Sequence, residues 1–498
     1  MNRNQILLNA LTTFTQVIGS AATLFFLYRF LIRTIGIERM GIWSLVLATT
    51  SVVTLANQGF ATGVVKFVAK YVARQQTEEV SILIQTSVIS IGLALGLLSL
   101  ALYPGAKWIL ALVMPQATVA EAYSIFPYAL ISLWINVVGS VLQAGLGGHG
   151  LISHRNYVVL GGSFFYLLLT VALVPRFGLL GLAYSQTAQA CACLAAAWHL
   201  LRRQVPRLPF IPHRWSRALF SEMGAYGLQF QFITFSQAVR EPVTKALLAK
   251  FGGLAAVGFY DIATRWVVTF RELIVQANQV LVPTVASLQE RDPKAIPAIY
   301  RESYRAIFFL AVPTFAFLMV LSPIVSRIWI GRYERTFVYF VSLLALGWLV
   351  NVLSNPAYIM DLGTGALRWV SIGCIITAIL NLALGFAAGR YVGSAAVVVA
   401  SVISLILGYA VVVASYHIEN RVSFRQLLPR ESVGIVASSI LGALIFIPFF
   451  SSPHVQVMLS LRVATEIAAA LTMIVVVPMW IHPMRRRLLN WVLSRLPA

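Results

Sequence analysis

The sequence predicts an all-α integral membrane protein with about 14 transmembrane helices, built as two parallel six-helix lobes plus two C-terminal helices. Of its residues 59% are hydrophobic and only 11% are charged, and the mean hydropathy is +0.83. A soluble domain carries about 25% charged residues and could not bury so much apolar surface. The apolar residues also come in blocks of about twenty, which is the length that crosses a hydrocarbon core.

Each block is predicted as one span, with boundaries set by hydropathy. The first block is too long for the apolar part of a signal peptide, so we expect it to stay in the mature chain. The predicted spans are 9–32, 42–65, 80–102, 124–144, 156–174, 179–201, 221–248, 256–285, 306–326, 337–359, 367–388, 394–416, 432–450 and 459–481.

The basic residues predict the orientation of the chain. The formal net charge is +21, and most of the excess lies in short loops on one side of the predicted spans. Lys and Arg favour that side by roughly two to one, which predicts a multi-pass inner-membrane protein with both termini in the cytoplasm. Because the bias is explained by topology, we expect no nucleic-acid partner.

The two blocks of six spans resemble each other, which predicts an internal repeat. Gly41-Ile42-Trp43 matches Gly258-Phe259-Tyr260, and Ala56-Asn57-Gln58 matches Ala277-Asn278-Gln279. The loops before spans 5 and 11 and the starts of spans 6 and 12 also match, in the same order. We therefore predict four segments, namely an N-terminal lobe at 1–205, a cytoplasmic interfacial linker at 206–220, a second lobe at 221–417, and helices 13–14 with a basic tail at 418–498.

Polar residues in one stripe of a predicted span indicate a wet cavity, because charges at membrane depth are costly. In span 8 the stripe comprises Asp261, Arg265, Glu272, Gln276 and Gln279, whose spacings of four, seven, four and three keep them on one helical face. Arg271 and Asn278 flank this stripe. Span 7 carries a broader stripe with Gln237 and Arg240, beside an i, i+4 pair of Glu241 and Lys245.

A basic cavity of this kind favours an anion, since Arg fits phosphate in bidentate geometry. We predict that the substrate contacts Arg29, Lys66, Arg240, Lys245, Arg265, Arg271, Gln58, Gln237, Gln276 and Gln279, and that Glu272 and Asp261 are the candidates for ion coupling. Alternatives remain for each group. Arg29, Lys66 and Lys245 could snorkel to headgroups, Asp261 could form a loop salt bridge, and the deeper charges could form interhelical pairs.

No cofactor and no metal site are predicted. The three cysteines, Cys191, Cys193 and Cys374, lie inside apolar blocks and show no metal-ligand spacing.

Two stretches resemble a known family. Residues 34–73, TIGIERMGIWSLVLATTSVVTLANQGFATGVVKFVAKYVA, resemble the opening signature of bacterial O-antigen and exopolysaccharide (Wzx-like) flippases. Residues 251–288, FGGLAAVGFYDIATRWVVTFRELIVQANQVLVPTVASL, have the same character. These flippases belong to the multidrug/oligosaccharidyl-lipid/polysaccharide (MOP) exporter superfamily, whose lobes have the fold of the multidrug and toxic compound extrusion (MATE) transporters.

The resemblance implies translocation of an oligosaccharide on an undecaprenyl-diphosphate carrier, by alternating access with a cationic central cavity. It also implies partners, namely the lipid-linked glycan, membrane lipids, and polysaccharide polymerase or export machinery. One departure concerns coupling, because many relatives carry an acid near the end of span 2 where this chain has Asn57-Gln58-Gly59.

Other functions stay open at this point. A multidrug or cation antiporter of the same fold would need acids and aromatics in its cavity, which the surplus of Arg disfavours. A lipid II flippase also has fourteen spans. A membrane glycosyltransferase or polymerase would need a large outer loop for its active site, and the longest outer stretch, 103–123, holds only Lys107 and Glu121. We therefore expect that the chain is not an enzyme.

Overall fold

The fold is helical and contains no strand in the residues that the structure, a computed structural model, describes; these are 3–51, 58–205, 207–279, 281–423, 427–428, 432–452 and 461–486. Ten helices in this part of the chain are long and apolar enough to cross a membrane. This confirms the predicted all-α membrane fold, whereas the number of about fourteen spans stays a prediction.

Sixteen α-helices, most of them joined by short loops, make up most of the described part of the chain. They are α1 (Arg3–Thr34), α2 (Gly36–Ser51), α3 (Gln58–Ala73), α4 (Thr77–Val113), α5 (Gln116–Gly148), α6 (Ile152–Phe177), α7 (Leu179–Gln204), α8 (Arg217–Gln279), α9 (Leu281–Arg291), α10 (Ile296–Ile330), α11 (Arg335–Thr364), α12 (Arg368–Val392), α13 (Ser394–Glu419), α14 (Ser432–Ser451), α15 (Leu461–Leu471) and α16 (Val477–Ile481). A 3-10 turn (Pro293–Ala295) precedes α10, and a π turn (Thr472–Val476) joins α15 to α16.

Two compact units divide the chain, Met1–Gly258 and Phe259–Ala498. In the first unit, a buried apolar cluster joins α3, α4, α5, α7 and the start of α8. In the second unit, α10 packs on α11 and α14, and α12 packs on α13. The lobe boundaries predicted at 205, 221 and 417 stay a prediction.

Helix α8 is interrupted at Gly253, whose φ of 76° and ψ of 175° lie outside the helical range. Only glycine adopts this conformation readily. The break falls between the predicted spans 221–248 and 256–285, so the 63 residues of α8 correspond to two predicted spans joined at Gly253.

Glycines with left-handed φ mark equivalent joints in the two repeats. One pair lies before α2 and within α8, and a second pair lies before α6 and before α12. The third pair lies at the joint between α6 and α7 and at the joint between α12 and α13. The pairs are Gly36 with Gly253, Gly150 with Gly365, and Gly178 with Gly393, and all three have nearly the same separation along the chain. Two of these pairs lie in the loops matched by sequence, so the internal repeat extends to backbone conformation.

Close helix packing is repeated as well. A Cβ atom at Gly148 would lie 2.7 Å from Cβ of Val68, and one at Gly363 would lie 2.7 Å from Cβ of Val285. Val68 and Val285 have the same separation along the chain as Gly36 and Gly253. The match of Gln58 to Gln279 needs a larger offset, so that match is displaced by about one helical turn. Ala56 and Asn57 lie outside the described residues.

In a second close helix contact, the small residue lies on the first helix in one repeat and on the second helix in the other repeat. Gly162 of α6 faces the thiol of Cys193 on α7, and Thr377 of α12 faces Gly408 on α13. Each member is separated from its counterpart by the same offset that relates Gly178 to Gly393. The small residue therefore moves from one helix to the other, while the close approach of the two helices is kept.

Helices α2 and α8 cross at two equivalent contacts, in each of which a glycine of one helix faces a backbone carbonyl of the other. A Cβ at Gly41 would collide with the backbone carbonyl of Leu254, and a Cβ at Gly258 would collide with the carbonyl of Ile37. Gly41 and Gly258 are related by the same offset as Ile37 and Leu254. All four residues belong to the first unit, and the crossing is therefore a local pseudo-two-fold contact.

Candidate functional site

In the second unit, the polar stripe of α8 combines buried and accessible side chains. Asp261 is buried, and its Oδ2 lies 3.3 Å from Nε of Arg265, whose side chain is 42% exposed. One turn or more further along, Glu272 is half-buried and Gln276 and Gln279 are exposed. The stripe therefore has accessible side chains along its length, and the buried carboxylate of Asp261 pairs with the first of its arginines, Arg265.

Arg271 is held from three sides. Its Nε donates to Oδ1 of Asn351 at 2.8 Å, its Nη1 donates to the carboxylate of Glu272, and its guanidinium lies 4.9 Å from the ring centroid of Trp348. Its Nη2 hydrogen-bonds with none of the described residues. An arginine fixed in this way keeps its remaining donor in a defined direction, which lowers the entropy cost of binding an anion.

A buried amide network continues from Arg271 along α8. Asn278 Nδ2 donates to Oδ1 of Asn355, and the Ser303 hydroxyl donates to Oδ1 of Asn278, both at 2.8 Å. All three residues are buried. Because buried polar groups with satisfied hydrogen bonds define a single geometry, this network fixes α8 against α10 and α11.

The residues on α11 and α10 that hold this stripe were not among those predicted from the sequence. Trp348, Asn351 and Asn355 are spaced by three and four residues, which places them on one face of α11. Two asparagines in an otherwise apolar span were a usable signal. Their partner Ser303 gave none, since serine is common in such helices.

In the first unit, the two predicted site cations on α8 are buried. Arg240 is 7% exposed, and Lys245 is 4% exposed with its Nζ 2.7 Å from Oε1 of Glu241. The Thr244 hydroxyl donates to the carbonyl of Arg240. Lys245 is therefore paired inside the protein, in contrast to the alternative that it snorkels to headgroups.

The remaining predicted residues lie in the first unit as well. Arg29 on α1 is half-buried, and Lys66 on α3 is exposed with its Nζ 5.7 Å from the Phe67 ring centroid. The side chains of Gln58 and Gln237 lie outside the described residues. The structure thus brings together Asp261 with Arg265, Arg271 with Glu272, and Lys245 with Glu241.

Chemically, the predicted site contains more cations than carboxylates. Arg29, Lys66, Arg240, Lys245, Arg265 and Arg271 stand against Glu241, Asp261 and Glu272. Each of the three carboxylates is an intramolecular partner that an incoming anion would have to replace or that a proton would neutralise. Within the second unit, Arg265 and Arg271, each paired with a carboxylate, suit reversible binding of an anion.

A family model described as "Polysaccharide biosynthesis protein" matches residues 30–333. This range contains both stretches on which the resemblance to polysaccharide flippases was based, and that resemblance is confirmed. No curated protein sequence matches the chain.

Solved structures of MOP-superfamily proteins share the fold. The lipid II flippase MurJ in an inward closed conformation is 11% identical with a TM-score of 0.72, covering 97% of this chain and 100% of its own. An inward-facing multidrug-resistance MATE transporter is 16% identical with a TM-score of 0.71, covering 81% of this chain and 94% of its own.

A third structure is a MOP transporter from Pyrococcus furiosus, whose binding pocket is described as having reverse polarity. It is 14% identical with a TM-score of 0.61, covering 84% of this chain and 95% of its own. The match to the family model and these folds together support a transporter or flippase. The chain is a multi-pass membrane protein that belongs to the polysaccharide biosynthesis protein family and has the fold of MOP-superfamily transporters and flippases.

Proposed function

We propose that this protein is a flippase that translocates undecaprenyl-diphosphate-linked oligosaccharide repeat units across the bacterial inner membrane, with both termini in the cytoplasm. It would act by alternating access with a cationic central cavity. The observation that carries the proposal is the preorganised guanidinium of Arg271, held by Asn351, Trp348 and Glu272. A diphosphate is the part of such a substrate that an arginine recognises best.

Glu272 supplies a way to load and release the diphosphate. While Glu272 is ionised, it occupies Nη1 of Arg271. A phosphate oxygen that replaces it forms a second hydrogen bond next to the one from Nη2, which gives bidentate recognition. Protonation of Glu272 would favour this exchange and would couple a proton to the substrate. Asp261, buried beneath Arg265, would be the second coupling candidate.

The experiment is a complementation assay in a strain that lacks the gene and has no redundant transporter. We expect Arg240→Ala, Arg265→Ala and Arg271→Ala to lower surface glycan export by about tenfold or more while membrane levels of the protein stay normal. Arg390→Ala is the matched control, because Arg390 is exposed at the end of α12. Normal export in all three test variants contradicts the assigned site. Normal export after deletion of the gene contradicts the flippase function itself.

Two other transport functions make different predictions. A lipid II flippase would be essential for growth, whereas loss of an oligosaccharide flippase should remove surface or exopolysaccharide and leave peptidoglycan intact. A multidrug or cation antiporter would confer resistance to cationic drugs on expression. The six cations of the predicted site against three carboxylates disfavour a cationic substrate.

Partners follow from the substrate. The lipid-linked glycan would arrive from the enzymes that assemble it on the inner leaflet, and the polymerase or export machinery would receive it outside. Accumulation of lipid-linked repeat units on the inner leaflet of the deletion strain would support this place in the pathway, and their absence would contradict it.

A further inference from the structure

The segment between α7 and α8 is tied to one face of α4 by buried polar side chains. The Ser81 hydroxyl donates to the Arg207 carbonyl, and Oε1 of Gln85 accepts the backbone N–H groups of His213 and Arg214, all at 3.0–3.1 Å. The Thr86 hydroxyl accepts the N–H of Ser216 at 3.1 Å. Ser81, Gln85 and Thr86 are buried. This segment, residues 207–217, is therefore a fixed strap rather than a loose loop.

Two arginines of the strap form salt bridges with α4. Nη1 of Arg207 lies 2.6 Å from Oε2 of Glu78, and Nη1 of Arg214 lies 3.1 Å from Oε1 of the same carboxylate. Arg202 donates from Nε to the Leu208 carbonyl at 3.2 Å. One glutamate thus holds two arginines, which leaves a net positive charge at this point of the strap.

The tip of the strap is apolar and uncovered. Phe210 is 72% exposed and Ile211 is 71% exposed, although the backbone on both sides of them is fixed. The Arg202 guanidinium lies 5.5 Å from the Phe210 ring centroid. A rigid segment that projects two large apolar side chains needs an apolar environment to receive them.

The depth of the strap follows from α4. Trp215 donates from Nε1 to the Ser90 hydroxyl at 2.9 Å. From Leu93 to Leu112, α4 exposes a series of large apolar side chains, so its lipid-facing part begins only about 4.5 Å beyond Ser90. Tryptophan is enriched at this level of a membrane, where the hydrocarbon meets the headgroups.

The charge around the strap is strongly positive. Residues 70–79 and 202–222 contain seven Lys and Arg residues against Glu78, Glu79 and Glu222. Arg203 and Arg217 are exposed and form an ion pair with none of the described acidic residues. A basic rim around an apolar tip is the pattern of a surface that binds anionic lipid.

We propose that residues 207–217, together with Arg203, form a docking surface for the headgroups of anionic phospholipids in the leaflet on this side of the membrane. Phe210 and Ile211 insert between the lipids, and Arg203 and Arg217 contact the phosphates. The strap would thereby tie the start of α8, which carries Arg240 and Lys245, to the bilayer surface. This surface is separate from the site of the proposed flippase function, and its test needs no transported substrate.

Depth is measured first, on the full-length protein with its three cysteines replaced by serine. A nitroxide is attached through Ile211→Cys, and the matched control is Gln76→Cys, an exposed residue just before α4. In vesicles with about one third phosphatidylglycerol in phosphatidylcholine, we expect the label at 211 to collide more with oxygen than with a water-soluble nickel chelate. The label at 76 should show the reverse. Equal, water-like accessibility at both positions overturns the insertion of the tip.

Charge is measured next, as the enrichment of spin-labelled phosphatidylglycerol over phosphatidylcholine at the protein. Arg203→Gln with Arg217→Gln should lower this enrichment by about 25-fold, given about fivefold for each arginine near an anionic surface. The control pair Arg335→Gln with Arg390→Gln, two exposed arginines of the second unit, changes the net charge by the same amount and should leave the enrichment within about twofold of the parent. An unchanged enrichment in the strap variant, or an equal loss in both pairs, overturns the lipid specificity.

Discussion

At the scale of single residues, the second unit shows how an arginine can be charged, buried in part and still available. Arg271 has a neutral amide acceptor in Asn351, an aromatic face in Trp348 and a carboxylate in Glu272. Removing Asn351 or Trp348 would loosen the guanidinium without changing its charge. Removing the charge of Glu272 would keep the position of the Arg271 guanidinium and would remove the carboxylate that competes with an incoming anion.

Glu272→Gln should therefore strengthen binding of a diphosphate lipid. We expect the Kd of the purified protein for undecaprenyl diphosphate to fall by about three- to tenfold at pH 8, since a neutral amide competes less for Nη1 of Arg271. Fluorescence or calorimetric titration measures this. Glu302→Gln, an exposed acid on α10, removes the same formal charge and should leave Kd unchanged. Weaker binding in Glu272→Gln would refute competition between carboxylate and diphosphate.

A second prediction at this scale concerns two adjacent glycines at the end of α5. Gly148→Ala should destabilise the protein by about 1–3 kcal/mol, because its methyl would lie 2.7 Å from Cβ of Val68. Gly147→Ala meets nothing within 4 Å and should be neutral or stabilising by up to about 1 kcal/mol. Thermal unfolding in detergent measures both, and equal melting temperatures would contradict the packing described here.

The sequence predicted charged and amide residues of the site on α8 but not what holds them. Stripes are visible because 3.6-residue periodicity places Asp261, Arg265 and Glu272 on one side of a helix. Partners on other helices are not visible, since Asn351 is 80 residues away from Arg271 and no local rule relates them. Burial was also beyond reach, so Lys245 could be assigned either to headgroups or to an ion pair.

At the scale of helices, the crossing of α2 and α8 depends on glycine at both contact points. The carbonyl groups of Leu254 and Ile37 approach the other helix where a Cβ would stand. The break of α8 at Gly253 comes directly before Leu254, at this crossing. Backbone contact without intervening side chains lets the two helices approach closely, and small residues are common at such crossings in membrane proteins.

Alanine at either glycine should disturb this crossing to the same degree. We expect Gly41→Ala and Gly258→Ala each to destabilise the protein by about 1–3 kcal/mol, and by amounts that agree within about 1 kcal/mol, because the two contacts are equivalent in the repeat. Thermal unfolding in detergent is the measurement. Gly105→Ala on α4, where nothing lies within 4 Å, is the control. A large effect at only one of the two positions would refute the equivalence.

The helix boundaries show which local signals hold and which do not. Gly150, Gly178, Gly365 and Gly393 lie at or next to joints between helices with positive φ, and the sequence matches found these loops because glycine is needed there. The strap against α4 was expected only as an interfacial segment. Its attachment depends on Gln85 and Thr86, buried polar residues within a predicted span whose partners lie about 130 residues away.

At the scale of the whole molecule, the repeat governs what can be inferred about sidedness. Six predicted spans separate each pair of equivalent glycines, so equivalent joints of two parallel repeats emerge on the same side of a membrane. Gly178 and Gly393 should therefore share one side, and Gly150 and Gly365 the other. The basic strap follows α7, on the side of Gly150, and this is the side predicted to be cytoplasmic from the distribution of Lys and Arg.

Thiol labelling tests this arrangement directly. In a background without the native cysteines, we expect a membrane-impermeant maleimide to label Tyr391→Cys in intact cells, since Tyr391 is 82% exposed at the joint before α13. Gln76→Cys and Asn420→Cys, both exposed at joints on the opposite side, should react only after the membrane is permeabilised. The physical reason is that an odd number of predicted spans separates position 391 from position 76 (spans 3–11) and from position 420 (span 12), when each span crosses once. Labelling of position 76 before permeabilisation would place the strap and the basic loops outside the cell. This result would contradict the positive-inside rule and the orientation that the proposed function requires.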